Sequence, residues 1–221
     1  MLKRQLAIFP FFLLLFCITI PAYADTIYSV VSVLDGDTII LDDGSRVRIA
    51  YVDTPELEHK KRKQQYFSIK AKNFITKEVL GKKVELQRIV DVDRYSRRVA
   101  IVTSQYGHDL GTYLVQNGMA FVYPHGRKQR SYVNKLITVQ QKAIDNKVGM
   151  WNNAITYLNK VGTVVGNRRS KRFFTLNCKF ANQISKKNKI YFKSPVDAFY
   201  NGYAPARVCK LWPNEAEISV E

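Results

Sequence analysis

The sequence contains 221 residues and carries a formal net charge of +17 at pH 7, with 35 Lys and Arg against 18 Asp and Glu. This length accommodates one domain of ordinary size and a smaller one, and no segment beyond the first 24 residues is apolar enough to be read as a membrane span. The positive excess attracts polyanions such as nucleic acid, although charge alone is equally compatible with solubility or with binding to anionic lipid.

The N-terminal residues have the pattern of an export signal. Two basic residues precede an apolar run at 6–20, and Ala22 and Ala24 are small residues at the positions that signal peptidase accepts. We therefore predict a signal peptide over 1–24, cleaved after Ala24, and a secreted or periplasmic protein. An uncleaved membrane anchor is the alternative, but the run is shorter than the ~20 apolar residues of a spanning helix.

The next part of the chain predicts a β-rich domain over 25–151. Five segments have the β-branched content and the flanking turns of strands: 27–34, 38–41, 47–49, 82–90 and 97–103. Three segments have apolar residues at helical spacing: 66–80, 110–117 and 131–147. This order predicts an α+β fold, mainly β: a five-stranded barrel of the oligonucleotide-binding (OB) type with three helices.

The composition changes after Trp151. Residues 152–221 carry twelve Lys and Arg against four Asp and Glu, with aromatic residues interleaved among the charges. We predict a linker over 152–162 and a small basic α/β module over 163–221. Cys178 and Cys209 are the cysteines that remain after the predicted signal. An even pair in an oxidising compartment predicts a disulfide.

Acidic residues lie at two turns of the predicted barrel. Asp37 opens the second strand and Asp53 closes the third, so a hairpin can bring both carboxylates together. Hard oxygen ligands of this kind suit Ca²⁺ or Mg²⁺ rather than zinc. Asp37 alone is also typical of an ordinary turn with Asx hydrogen bonds.

Two neighbours of this acidic pair suggest chemistry. Glu56 lies three residues after Asp53, where a general base can take a proton from water. Arg48 on the adjoining strand offers planar donors that match a phosphate, although a surface ion pair is the alternative for this residue.

The ordered set of motifs resembles the staphylococcal nuclease (thermonuclease) family over residues 27–151. The motifs are Asp35-Gly36-Asp37-Thr38, Arg48, Asp53-Thr54-Pro55-Glu56, Asp93-Arg94-Tyr95-Ser96-Arg97, Gly118 and Trp151. The resemblance implies a calcium-dependent endonuclease of low sequence specificity. Such an enzyme hydrolyses DNA or RNA at the 5′ P–O bond and leaves 3′-phosphates. We expect single-stranded or locally melted DNA and RNA as partners, a monomer, and no stable membrane partner after signal removal.

The resemblance also assigns roles by position. The ligands of one Ca²⁺ ion are Asp37, Asp53 and, through its main-chain carbonyl, Thr54. The catalytic residues are Arg48, Glu56 and Arg97, with Glu56 as general base and the arginines on the phosphate. The nucleotide-binding residues are Arg94, Tyr95 and Tyr123, and for Tyr123 packing is as open as base stacking.

Some features depart from the family or stay open. Arg94 and Ser96 stand where the family usually has lysine and glycine. The basic loop 60–63 follows Glu56 and is either a solvated charge run or a sequence-independent phosphate contact.

The C-terminal segment has a second resemblance, to the small zinc-binding, DNA-contacting domain of the Ada-type alkylation repair protein. The similar stretches are 167–171, 188–192 and 202–209. Phe174 and Ala206 replace one cysteine of each family pair, so half of a tetrahedral zinc shell is missing. We expect a Cys178–Cys209 disulfide in its place. Added nucleic-acid affinity and a structural or protein-contact role both stay open.

Two rival functions are a non-catalytic nucleic-acid-binding OB-fold protein of the cell envelope and an envelope interaction module. The presence of Arg48, Glu56 and Arg97 together favours an enzyme, because binding alone needs no base beside a metal. An interaction module would show no calcium dependence.

Overall fold

The computed structural model describes residues 26–58, 63–124 and 129–218. The predicted signal peptide and residues 60–62 of the basic loop lie outside these ranges. The strands are β1 (Ile27–Asp35), β2 (Thr38–Leu41), β3 (Arg46–Ile49), β4 (Val52–Asp53), β5 (Lys83–Val92), β6 (Arg98–Ser104), β7 (Phe121–Val122), β8 (Val164–Asn167), β9 (Arg172–Thr175), β10 (Lys189–Phe192) and β11 (Ala204–Pro205). The helices are α1 (Ser68–Val79), α2 (Leu110–Gln116), α3 (Arg130–Asp145), α4 (Trp151–Asn159), α5 (Lys179–Asn182), α6 (Pro195–Tyr200) and α7 (Glu215–Ile218), with a short 3₁₀ helix at Lys186–Asn188.

Five strands close into a barrel in the order β1-β2-β3-β6-β5. Their pairings are antiparallel except between β3 and β6, which run parallel. Alternate side chains such as Val30, Ile39 and Val47 point inward and are almost completely buried. The predicted five-stranded barrel is therefore confirmed, and each barrel strand ends within two residues of its predicted bounds.

The helices of the barrel region also follow the predicted pattern. Helices α1, α2 and α3 each begin and end within two residues of the predicted segments. Gly81 follows α1 with φ of +71°, the left-handed conformation in which a glycine ends a helix without steric cost. The described ranges contain no helix long and apolar enough to cross a membrane.

A second sheet in the C-terminal segment has the strand order β10-β8-β9-β11. The β9–β11 pairing is parallel and the other two are antiparallel. Cys178 and Cys209 form a disulfide with 6.2 Å between their Cα atoms, as the sequence predicted. The disulfide joins the start of α5 to the loop that follows β11.

The segment predicted as a linker is mostly helix. Trp151, Ala154 and Leu158 of α4 recur at helical spacing and are fully buried, so the helix packs by one apolar face. It contacts α3 of the barrel region and α6 of the C-terminal segment, where Trp151 lies 5.0 Å from Phe199 between ring centroids. The connection is therefore an ordered helix rather than an open linker, while the domain boundaries drawn from the sequence stay a prediction.

One aromatic core joins the barrel to the C-terminal segment. Phe121 of β7 lies 5.2 Å from Phe199 and 5.6 Å from Trp212 between ring centroids. The buried side chain of Gln140 in α3 accepts a hydrogen bond from Val122 N–H and donates one to the Phe199 carbonyl. These contacts fix the C-terminal sheet against the barrel at the side where β4 ends in Asp53.

Candidate active site

The turn between β1 and β2 places the first acidic residue. Asp35 accepts a hydrogen bond from the Asp37 N–H at 3.0 Å, which closes an Asx turn. A Cβ atom on Gly36 would lie 2.8 Å from the Thr54 side chain, so only glycine lets the turn pack this closely. Asp37 in consequence accepts hydrogen bonds from the main-chain N–H and the hydroxyl of Thr54, at 3.0 and 3.3 Å.

Arg48 joins the two predicted metal ligands. Its Nη1 donates to Asp37 Oδ1, and its Nη2 donates to Asp53 Oδ1 at 2.7 Å and to the Val52 carbonyl at 3.0 Å. Asp37 and Asp53 are 2% and 1% exposed. Both carboxylates thus lie within the span of one guanidinium, as the predicted hairpin requires.

Arg97 enters the site from the turn before β6. Its Nε donates to Asp93 Oδ2 at 2.8 Å, and its Nη1 donates to the Thr38 hydroxyl at 3.3 Å. Thr38 also donates to Asp37 at 3.0 Å. A short chain of hydrogen bonds therefore connects Arg97 to the first acidic ligand.

A cavity of about 350 Å³ lies between these elements. Its lining includes the predicted site residues Asp37, Arg48, Thr54, Glu56 and Arg97, together with Asp35, Arg46, Tyr95 and Arg207. Asp53 is joined to the cavity wall through Arg48. The structure thus brings the predicted metal ligands and catalytic residues together, whatever role each one has.

The donors available to a metal ion are oxygen atoms. Asp37 and Asp53 supply buried carboxylates. Thr54, whose main-chain N–H donates to Asp37, carries the main-chain carbonyl that the family resemblance gives as the third ligand. Among the residues that the structure describes, no three His, Cys, Asp or Glu side chains form a metal-binding group. Two carboxylates and a carbonyl would fill only some of the coordination positions of an ion, and water or substrate would fill the others. These oxygen donors fit a hard cation such as Ca²⁺ or Mg²⁺ and not zinc.

Burial and neighbouring charges shift the pKa values of Asp53 and Glu56 in opposite directions. Burial acts to raise the pKa of Asp53, but the guanidiniums of Arg207, Arg48 and Arg172 outweigh it and hold the pKa well below its usual range. Burial raises the pKa of Glu56, and only part of this shift is offset by Arg207.

Asp35 has a perturbed acidity that the sequence did not indicate. Burial, followed by the negative charge of Asp37, raises the pKa of the Asp35 carboxyl to about 7. One acid in the cavity wall is therefore partly protonated at neutral pH, while Asp53 is fully ionised.

The predicted nucleotide-binding residues line an adjoining cavity of about 540 Å³, which also includes Arg48 and Arg97. Arg94 lies over the Tyr95 ring at 4.9 Å from its centroid and donates to its hydroxyl at 2.8 Å. The guanidinium of Arg172 lies 3.5 Å from the centroid of the Tyr123 ring. One face of Tyr123 is thus covered by an arginine, whereas Tyr95 is 60% exposed.

Two arginines that sequence reasoning did not place in the site come from the C-terminal segment. Arg172 Nη1 donates to Asp53 Oδ2 at 2.8 Å. Arg207 Nη2 contacts Asp53 Oδ1 and lies 2.5 Å from Glu56 Oε1. These partners are 119 and 154 residues from Asp53 along the chain. The sequence held no local signal for these contacts beyond the general basic character of the segment.

The fold and the site together define a class: an OB-type barrel in which buried carboxylates, a third acid and several arginines surround one cavity. The model of the family described as staphylococcal nuclease homologue matches residues 46–153. An uncharacterized endonuclease of Escherichia coli O157:H7 is 31% identical over 146 residues, which cover 64% of this chain and 88% of that protein. The chain therefore belongs to the staphylococcal nuclease family.

Other relatives share less of their length or identity. A protein named micrococcal nuclease from Shigella flexneri is 27% identical over 145 residues, covering 61% of this chain and 78% of its own. A probable endonuclease of the fungus Pyrenophora tritici-repentis is 36% identical over 110 residues, covering 48% of this chain and 40% of its own. The chain thus spans less than half the length of the fungal relative.

Proposed function

We propose that this protein is a calcium-dependent phosphodiesterase that hydrolyses DNA and RNA with little sequence preference, cutting the 5′ P–O bond and leaving 3′-phosphates. The observation that carries the proposal is the shared cavity of Glu56, Arg48 and Arg97 beside the Asp37–Asp53 pair. The endonuclease names of several relatives support the same reaction class.

The residues of the cavity have different roles in such a reaction. Glu56 accepts the proton of an attacking water, and burial favours this because it raises the pKa of the carboxylate and makes it a better base. Arg48 and Arg97 face the same space from two sides and donate to the equatorial phosphate oxygens, where negative charge grows. Their fixed hydrogen bonds to Asp37, Asp53 and Thr38 hold them in place before substrate arrives.

Asp37, Asp53 and the Thr54 carbonyl are the groups that would hold the ion. When bound, Ca²⁺ supplies positive charge to the phosphate and lowers the cost of attack by water. The oxygen donors are compatible with Ca²⁺ or Mg²⁺, and the resemblance to the staphylococcal nuclease family favours Ca²⁺.

Degradation of denatured DNA tests the proposal. Wild-type protein should cut with Ca²⁺ and stop when EGTA is added, and Glu56→Gln should lose at least ~10²-fold in kcat while still binding DNA. Products should accept ³²P at the 5′ end without prior phosphatase treatment, because 5′-hydroxyls accompany 3′-phosphates. DNA binding without cutting by the wild-type protein would favour the non-catalytic rival. Nuclease activity that continues in the presence of EGTA would reject the calcium assignment.

A basic cleft outside the cavity extends the surface available to nucleic acid. A groove of about 330 Å³ is lined by Arg130 of α3 and by Arg168, Arg169 and Lys171 of the β8–β9 turn, and none of the described residues in its wall is acidic. Such a surface binds phosphates at any base sequence. We propose that the C-terminal segment adds nucleic-acid affinity here, as its Ada-type resemblance implies.

Export through a signal peptide, with cleavage after Ala24, completes the proposal. The Cys178–Cys209 disulfide supports it, because disulfides persist in oxidising compartments. N-terminal sequencing of the protein recovered from culture medium or periplasm should begin at Asp25. An uncut N-terminus in the membrane fraction would reject this part.

A further inference from the structure

The C-terminal segment sends two guanidiniums to the acids of the candidate site. Asp53 is almost completely buried, yet Arg48, Arg172 and Arg207 all bond to it. Arg207 extends the same network to Glu56 at 2.5 Å. The network therefore runs without interruption from Asp37 to Glu56.

The charges of this network balance only when the C-terminal segment is included. Its acids are the three carboxylates of Asp37, Asp53 and Glu56, and the barrel itself supplies one guanidinium, Arg48. This leaves two negative charges, the number that one divalent cation neutralises. Arg172 and Arg207 bring two positive charges to the same carboxylates.

The two arginines differ in how firmly they are held. Arg172 also donates to the Pro205 carbonyl at 2.9 Å, lies on the Tyr123 ring, and has only 15% of its side chain exposed. Arg207 has 38% of its side chain exposed, and every ion-pair partner that the structure gives it is an acid of the site. Arg207 also lines both cavities that contain Arg48 and Arg97, so it is the arginine that can exchange partners.

We propose that Arg207, assisted by Arg172, is a built-in counter-charge of this site: it pairs with Asp53 and Glu56 when no divalent cation is bound, and pairs with the substrate phosphate when the cation takes its place. The inference rests on the proposed phosphodiesterase function. Arg207 occupies carboxylate oxygens of Asp53 and Glu56, so a cation bound to the same acids would compete with it. The double positive charge of the cation would also repel the guanidinium at this short range. Release of Arg207 then leaves Glu56 free to act as base and places a third guanidinium beside the phosphate.

Substitution of Arg207 should change the affinities for Ca²⁺ and for nucleic acid in opposite directions. In calorimetric titrations without nucleic acid, Arg207→Gln should bind Ca²⁺ about tenfold more tightly than wild type, because a unit charge beside the ion is removed. With the Glu56→Gln background preventing cleavage, the same substitution should weaken the Ca²⁺-dependent binding of a single-stranded oligonucleotide about tenfold, measured by fluorescence anisotropy. Arg207→Lys keeps the charge and should restore wild-type Ca²⁺ affinity.

Arg169→Gln is the matched control for the calcium titration, because it removes one exposed guanidinium of the same segment outside the site. Its Ca²⁺ affinity should equal that of wild type. Circular dichroism of each variant establishes that it is folded.

Unchanged or weaker Ca²⁺ binding by folded Arg207→Gln overturns the proposal, as does a loss of both affinities, which a merely structural role would produce. Absence of Ca²⁺ binding in wild type and variant alike also overturns it. If both affinities move as expected but wild-type protein cuts no nucleic acid, the counter-charge role stands and the proposed reaction fails.

Discussion

Asp93 holds the guanidinium of Arg97 by one edge. Oδ2 of the aspartate lies 2.8 Å from Nε and 2.7 Å from Nη2 of the arginine, while Oδ1 accepts the main-chain N–H groups of Arg97 and Tyr95 at 3.0 and 2.9 Å. Burial opposes ionisation of this aspartate, but the hydrogen bonds from Arg97 outweigh it and lower the pKa. The arginine is therefore fixed before substrate binds, which is the condition for electrostatic catalysis.

Arg97→Ala should lower kcat on denatured DNA by at least ~10²-fold, the scale of one lost electrostatic donor. Arg98→Ala is the matched control, because the neighbouring arginine pairs with Asp43 at 2.9 Å and does not line the cavity. Its kcat should stay close to the wild-type value. Initial rates at saturating Ca²⁺ and substrate give the kcat of both variants. A wild-type kcat for Arg97→Ala would show that Arg97 has no part in the mechanism.

Much of the barrel and of its acidic site was predictable because the signals are local. Strand alternation and turn residues indicated the order of β1, β2 and β3, and the short spacing from Arg48 to Asp53 indicated that these two residues lie close together. The helix at 151–159 was not predicted because it has only three buried apolar residues, and its surroundings in the sequence are polar and basic. The contacts of Arg172 and Arg207 were not predictable, since they depend on how the aromatic core docks the C-terminal sheet against the barrel.

Ser96 adopts a backbone conformation that disfavours its side chain. Its φ of +60° lies in the left-handed region, where the Cβ atom costs roughly 1 kcal/mol, and the related family usually has glycine at this position. Ser96→Gly relieves this strain, and the larger conformational entropy of glycine in the unfolded chain offsets part of the gain. The net increase in the free energy of unfolding should be about 0.5–1 kcal/mol.

Urea denaturation measures this gain against a second serine-to-glycine change. Ser185 has an ordinary φ of −61°, so Ser185→Gly should lower stability rather than raise it. Equal effects of the two substitutions would show that the backbone at Ser96 carries no strain.

The raised pKa of Asp35 makes stability depend on pH. The folded protein holds this proton up to about pH 7, whereas the unfolded chain releases it near 3.8. The folded state therefore binds more protons between these values, and the free energy of unfolding falls as pH rises through this window. The penalty above pH 7 is on the order of 4 kcal/mol, at about 1.4 kcal/mol per pKa unit.

Asp35→Asn removes the penalty while its amide oxygen can still accept the Asp37 N–H. In the presence of EGTA, the variant should be more stable than wild type at pH 8 and should have no such advantage at pH 4. Urea denaturation at pH 4, 6 and 8 gives the comparison. A difference between variant and wild type that stays constant with pH would contradict the assignment.

The disulfide should contribute measurably to stability. Cys178 and Cys209 are separated by 31 positions, and a loop of this length should contribute roughly 3–4 kcal/mol by restricting the unfolded chain. The double variant Cys178→Ser, Cys209→Ser should lose stability by this amount in guanidinium denaturation, and dithiothreitol should lower the wild-type midpoint toward that of the variant without moving the variant itself. Because Arg207 lies two residues before Cys209, loss of the bond should also loosen the loop that carries this arginine and should tighten Ca²⁺ binding, as Arg207→Gln is expected to do. Coincident midpoints for oxidised and reduced wild-type protein would show that the bond contributes nothing to the fold.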